Sequence, residues 1–364
     1  MNTAKSMYAC SLAEATDAIY ELGNKLTIIL QGHMGVGKSA VGFELDKRLS
    51  DHTYFYCDCT TKDMGDLMLP RFKDVEGGDC VRFVTNEELG LHLQNQKVII
   101  NLDEIGKANP SVKNAVLRLM YERRMGNYVL HPESIVFATT NKGGEGVGDI
   151  LPPHARNRVT VMQIRKSTNM EWVEWGINNN MDSTVLGWVK DNPHLLHTFE
   201  DVKNPEDNPY IFHPQATQTS FVTPRSLECA SDWVKLRDQF DDHTLTSLLM
   251  GSIGERGAMD LMAFVKLADD LPSLESIKKE PKTAKVPTSA SAICMVVYRT
   301  LANLEKDWIN NWLDYMLRLD KEAQGLFANG VRSEKYAKRS MVMTNKKFTD
   351  WAMQNNYMFV ADKK

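Results

Sequence analysis

The sequence has no apolar run approaching the roughly 18 residues of a membrane-spanning helix, and its first twenty residues lack a long apolar core. Both absences argue for a chain that neither crosses a membrane nor carries a secretory leader. Cysteine is scarce and scattered: of six in 364 residues, only Cys57 and Cys59 lie close together. That pair lacks the second Cys or His pair a zinc site needs, so all six are read as reduced packing residues. Charge excess is also missing. A net charge of −4 leaves no global electrostatic footprint for nucleic acid, and the locally basic run of Lys335, Lys338, Arg339, Lys346 and Lys347 reads as a solvated helix face. No internal repeat occurs. The rest is ordinary for a soluble globular protein, at a length that favours two or three domains with a full-sized core.

Against this plain background one stretch stands out, Leu30-Gln-Gly32-His-Met-Gly35-Val-Gly37-Lys38-Ser39, which matches the phosphate-binding pattern G-x-x-x-x-G-K-[ST] at every fixed position. The context fits too: Lys25–Leu30 predicts a short buried strand, and Ser39–Leu49 has apolar residues at helical spacing. Gly32, Gly35 and Gly37 allow dihedrals a Cβ would forbid, so that backbone N–H groups can face an anion, and the following helix adds its positive end. Nucleotide binding is therefore expected along the loop at Gly32, His33, Met34, Gly35, Val36, Gly37, Lys38, Ser39 and Ala40. Lys38 would reach the β- and γ-phosphates, and the Ser39 hydroxyl would ligate the Mg²⁺ that bridges them.

Further along, Lys97–Leu102 is a continuous apolar strand, as expected of a parallel strand buried on both faces, and it ends in Asp103-Glu104. Asp103 lies 65 residues after Lys38, and 38 residues later the buried strand Ser134–Thr140 ends at Asn141. A carboxylate at the tip of a strand beside the phosphate loop can hold Mg²⁺, its neighbour can activate an attacking water, and an Asn on the next strand can bind both the γ-phosphate and that water. Asp103, Glu104 and Asn141 are assigned those places.

The remaining elements alternate in the first half: helix Leu12–Leu22, strand Thr53–Cys59, a helix-like piece near Asp63–Pro70, a hairpin turning at Gly77-Gly78, a helix over Glu87–Leu93, a strong amphipathic helix Pro110–Arg124 and a second hairpin at Gly126–Leu130. That pattern predicts a doubly wound parallel α/β sheet with its ligand at the carboxyl ends of the strands. Gly143–Asp149 reads as a glycine-rich mobile loop, and beyond Met162 the strand signals fade. Helices are expected over Glu171–Gly187, Pro224–Gln239, His243–Gly251, Ala258–Leu271, Ala292–Arg318 and Thr349–Met353, with a proline-containing extended linker from Pro272 to Ser291. The domain reading is an α/β nucleotide-binding domain over 1–165, an α-helical lid over 166–271, a linker over 272–291 and a helical extension over 292–364.

With these residues in view the chain resembles the AAA+ ATPases, and among them the MoxR-like, dynein-related subfamily. The resemblance runs from about Leu12 to Leu236 and is carried by GHMGVGKSA, VIINLDEIGKA, VLRLMYERRMGNYVLHPESIVFATTN and LPPHARNRV, with Thr223-Pro224-Arg225-Ser226-Leu227 as a fifth stretch. It implies Walker A at Gly32–Ser39, Walker B at Asp103 and Glu104, sensor 1 at Asn141, an arginine finger at Arg158 or Arg156, and sensor 2 at Arg225, where Thr223 as N-cap and Pro224 in the first turn fix a helix start. It further implies ATP and Mg²⁺, a homo-oligomeric ring of most simply six copies, and a chaperone-like action on a protein client, often with a partner carrying a von Willebrand A domain, in the cytoplasm of a bacterium or a phage-infected host. The chain departs from the family at Asn141-Lys142, where Asn-Pro is usual, and after Glu104; the tail beyond Leu271 matches nothing in the family. Action on nucleic acid is the main alternative. A small-molecule kinase shares the phosphate loop but lacks the late Asn strand and paired arginines, and a GTPase would need an Asp that Asn141-Lys142-Gly143-Gly144 does not supply.

Overall fold

The computed structural model describes residues 8–75, 78–142, 157–269 and 271–358, and the chain divides into two compact units, 1–166 and 167–364. The expected loop Gly143–Asp149, residue Gly77 of the first hairpin turn and Arg156 lie outside the described residues.

Nine strands occur among the described residues of the first unit: β1 (Ile28–Gly32), β2 (His52–Asp58), β3 (Met68–Val75), β4 (Gly78–Thr85), β5 (Lys97–Asp103), β6 (Arg124–Met125), β7 (Tyr128–Val129), β8 (Ile135–Thr140) and β9 (Thr160–Ile164). Five form a parallel sheet in the order β2-β5-β8-β1-β9, and β3-β4 and β6-β7 are separate antiparallel ribbons. Alternate side chains leave each central strand toward opposite faces. Ile28, Leu30, Ile99, Ile135 and Phe137 join one core with Ala15 and Ile19 of α1 (Leu12–Leu22) and Val41 and Leu45 of α2 (Ala40–Arg48). Ile29, Val98, Ile100, Leu102, Val136 and Ala138 join the other; after the single turn α3 (Met64–Leu67), helix α4 (Pro110–Glu122) supplies Val112, Val116 and Leu119 to it. Both faces are thus covered by helices, as the continuous apolar strands required.

Local chemistry sets the helix ends. Ser11 caps α1 in a reciprocal box with Glu14, and Asn109 caps α4 by accepting from the Val112 N–H, with Pro110 in the first turn. Arg123, left-handed at φ 56°, closes α4. Its half-buried guanidinium donates to the Gly23 carbonyl at 2.9 Å and the Thr27 hydroxyl at 2.6 Å, so the end of α4 is tied to the entry of β1.

Three expectations need correction here. The helix-like piece near Asp63–Pro70 is only α3, and Met68 already begins β3, where Pro70 is tolerated because the ribbon is two-stranded. The Glu87–Leu93 helix shrinks to a 3-10 turn, Glu87–Leu89, stopped by Gly90 at φ 64°. The fifth sheet strand, β9, is additional to the strands expected from the sequence, because as an edge strand it is largely exposed and carries no apolar run; after it no strand occurs among the described residues.

The second unit is helical: α5 (Asn169–Asn178), α6 (Ser183–Asp191), α7 (Pro224–Lys235), α8 (Asp242–Asp269), α9 (Leu274–Lys279), α10 (Ala290–Asn303), α11 (Ile309–Met316), α12 (Lys321–Arg332), α13 (Arg339–Met343) and α14 (Lys346–Gln354). The single helix expected over Glu171–Gly187 is two, broken by Asn180 at φ 56° and restarted by the Asp182 N-cap. Ala292–Arg318 is likewise two, α10 and α11. The helices expected over His243–Gly251 and Ala258–Leu271 are the two arms of α8, separated at Gly254 by non-helical backbone (φ 82°, ψ 163°), where a Cβ would lie 2.7 Å from the Ser220 carbonyl oxygen. Pro272 and Pro281 flank a helix, α9, whose Ile277 is fully buried, so the segment expected as an extended linker is packed structure. One hydrophobic cluster takes in Trp188, Leu227, Leu261, Ile277, Val297, Trp312 and Phe327, spanning the segments expected as lid, linker and extension. All seven tryptophans of the chain lie in this unit.

Candidate active site

The chain runs from β1 to the far edge strand β2, returns through β5 and β8, and then crosses to β9 on the other side of β1. The strand order therefore reverses at β1, and a crevice opens there at the carboxyl ends, the place where open α/β sheets bind ligands. The glycine loop follows β1 into that crevice. Gly35 (φ 72°) and Gly37 (φ 99°) are left-handed, and a Cβ on Gly32 would sit 2.9 Å from the Ile164 carbonyl oxygen of β9. Val36 and His33 are buried, and Val36 pins the loop into the core beneath it. Ser39 and Ala40 open α2.

The loop's cation is held inward. Lys38, 6% exposed, donates from Nζ to the Gly32 carbonyl at 2.9 Å, the His33 carbonyl at 2.8 Å and Asn141 Oδ1 at 2.7 Å. A buried ammonium needs such acceptors, and here they include the expected sensor residue itself. Asn141, just past β8, is buried as well.

The two carboxylates sit beside this group. Asp103, the last residue of β5, is surrounded by hydroxyls: Tyr56 donates to Oδ2 at 2.8 Å, Thr139 donates to Oδ1, and Ser39 Oγ lies 3.3 Å from both oxygens. Burial first, and then the hydrogen bond to Asp103, push the Tyr56 phenol well above its usual range, so it stays a donor. Glu104 follows in a left-handed conformation (φ 53°), its N–H donating to the Thr139 hydroxyl at 3.2 Å and its carboxylate 3.3 Å from Lys107 Nζ. One hydroxyl, on Thr139, thus fixes both acidic residues. Thr139 and Tyr56 were not singled out in the sequence; the usable signal was a hydroxyl near the carboxyl end of each strand flanking β5.

The arginines are placed separately. Arg158 is exposed, its guanidinium 4.7 Å from the centre of the Tyr121 ring at the end of α4. Arg225 lies in the second unit, exposed in the first turn of α7, whose Thr223 cap accepts from the Ser226 N–H. Among the described residues no cluster of three or more His, Cys, Asp or Glu could hold a metal alone, and Cys57 and Cys59 are free thiols. A Ser39 hydroxyl facing the Asp103 carboxylate is nevertheless the oxygen-only partial site that suits Mg²⁺, which takes one or two protein ligands and completes its shell with phosphate oxygens and water. The donor set fits that ion.

Residues 27–156 match the model of the AAA domain, dynein-related subfamily. No curated protein matches the chain. Among solved structures, a mutant of RuvB from Thermotoga maritima is similar at 15% identity and TM-score 0.36, over 86% of this chain and 88% of that one. Hsp104 with ATPγS and FITC casein is similar at 14% identity and TM-score 0.38, over 71% and 47%. NtrX from Brucella abortus in complex with ADP is similar at 12% identity and TM-score 0.33, over 96% and 68%. The matched segment runs from the start of β1 past β8, through Lys38, Ser39, Asp103, Glu104 and Asn141, and over that segment the chain carries an AAA domain of the dynein-related subfamily.

Proposed function

We propose that this ATPase is a MoxR-like motor that assembles into a ring, most simply a hexamer, and uses Mg²⁺-dependent ATP hydrolysis to remodel a protein partner. The observation that carries the reading is the joining, at the switch point of the sheet, of Lys38 to Asn141, of Ser39 to Asp103, and of Asp103 to Glu104 through Thr139. In this mechanism Lys38 would exchange its carbonyl acceptors for β- and γ-phosphate oxygens, and Ser39 and Asp103 would hold the metal. Mg²⁺ bound there would offset charge developing on the phosphates. Glu104 takes the proton of the attacking water, Asn141 orients that water, and Arg225 is assigned the sensor 2 role.

The exposure of Arg158 supports a finger offered to a neighbouring copy, with Arg156 as second choice. A finger supplied in trans contributes about 10³ to 10⁵ in rate, or roughly 4 to 7 kcal/mol. The lack of a basic composition favours a protein client, for which a von Willebrand A-domain partner suits the MoxR-like reading. A second reading, action on nucleic acid, is favoured by the β3-β4 ribbon, where Arg71 and Arg82 stand directly opposite with no ion pair among the described residues. The test is an affinity pull-down with Glu104→Gln protein and ATP. A retained protein that leaves on ATP removal supports the first reading, and retained nucleic acid alone would overturn it.

A further inference from the structure

Two tyrosines on the same face of β2 lean the same way across the sheet. In the β2-β5 register Tyr54 stands opposite Ile99 and Tyr56 opposite Asn101, yet each hydroxyl reaches two residues further along: Tyr54 accepts from Asn101 Nδ2 at 3.2 Å, and Tyr56 donates to Asp103 Oδ2 at 2.8 Å. The surroundings of the two rings differ. Tyr54 is packed under α2, where Gly42 leaves room for its ring and the Phe43 ring lies tilted against it with centroids 5.5 Å apart, whereas Tyr56 is 46% exposed. A residue that exposed adds little to the core, so its hydrogen bond to a buried carboxylate stands out as the main use of its hydroxyl.

The Asp103 carboxylate shows what that bond does. With Tyr56 on Oδ2 and Thr139 on Oδ1, rotation of the group is fixed, and the fork between its oxygens faces Ser39 Oγ, equidistant at 3.3 Å. We infer that Tyr56 is a positioning residue for metal binding, its hydroxyl holding the Asp103 carboxylate square to Ser39 and thereby setting how much Mg²⁺ the ATPase needs. The inference rests on the reading of Asp103 as the metal carboxylate. Hydrogen-bond partners that orient a ligating carboxylate commonly account for 10- to 100-fold in metal affinity.

The test compares Tyr56→Phe with Tyr54→Phe and Asp103→Asn. Two quantities are read over a Mg²⁺ series: the affinity for a slowly hydrolysed ATP analogue by calorimetry, and the Mg²⁺ concentration giving half-maximal hydrolysis. Tyr56→Phe is expected to raise that concentration about tenfold or more, with analogue affinity in chelator and the melting temperature unchanged. Tyr54→Phe, which loses an equivalent hydroxyl on the same strand, should keep the wild-type Mg²⁺ requirement. A wild-type requirement in Tyr56→Phe, with Asp103→Asn shifted, overturns the role of Tyr56 alone. An equal shift in both tyrosine variants reduces it to strand packing, and an unshifted Asp103→Asn takes down the metal assignment beneath it.

Discussion

Lys38→Ala is the sharpest perturbation of the nucleotide site. A unit charge about 4 Å from a phosphate oxygen, at an effective dielectric near 20, contributes roughly 4 kcal/mol. The ammonium is already engaged, however, by two carbonyls and Asn141 Oδ1 at 2.7–2.9 Å. Turning to the phosphates surrenders one of these bonds, each worth about 1.5–3 kcal/mol in a charged pair, so the net gain on binding is about 1–2.5 kcal/mol. Loss of the side chain should then weaken ATP binding roughly 5- to 70-fold. Calorimetric titration of a slowly hydrolysed ATP analogue in Mg²⁺ measures this directly. A folded Lys38→Ala protein that binds within about twofold of wild type would refute the assignment of the loop.

Glu104→Gln should bind ATP normally but hydrolyse it about 10² to 10⁴ times more slowly, since an amide can orient water but cannot accept its proton; wild-type turnover would show that the base lies elsewhere. Arg158→Ala and Lys38→Ala chains, each inactive alone, should regain hydrolysis when mixed if sites are completed in trans, and a monomer as active per chain as the assembled protein would remove the ring. Arg225→Ala is expected to weaken nucleotide binding with the α7 cap intact, and a nucleotide-bound structure with Arg225 distant from every phosphate would count against it. Arg123→Ala should destabilise the first unit by about 3 kcal/mol, because the Gly23 carbonyl and Thr27 hydroxyl lose their donor; a melting curve unchanged from wild type would contradict that.

What could be read in advance was chemistry written within a few adjacent residues. The loop from Gly32 to Ser39 and the pair Asp103-Glu104 announce themselves because their residue types have few other uses in that pattern. Thr139 and Tyr56 did not, since a hydroxyl on a strand has many uses and only the strand order brings these two to either side of β5. The sheet centre was legible from apolar runs, whereas β9 was not, because an exposed edge has no such run. In the helical unit the apolar spacing was clear but the breaks were not. Asn180 ends a helix by taking a left-handed conformation that its sequence neighbours permit but do not demand. Helix α12 escaped notice because Gly325 and Gly330 dilute its pattern, although Asp320 caps it and Ala323, Phe327 and Val331 line one face; Gly330 lets that helix close on Leu301, whose Cδ1 would lie 2.6 Å from an added Cβ.

The placement of all seven tryptophans after residue 166 divides the molecule optically. The unit that carries the phosphate loop has tyrosines but no indole, so excitation at the red edge of the aromatic band sees the helical unit alone. Trp188 and Trp312 are shielded within its core, while Trp175 is partly open to water. Any change in indole emission when ATP is added therefore originates in helices that contain none of the Walker residues. The unmodified protein carries its own reporter of whether occupancy of the nucleotide loop is felt by the rest of the chain.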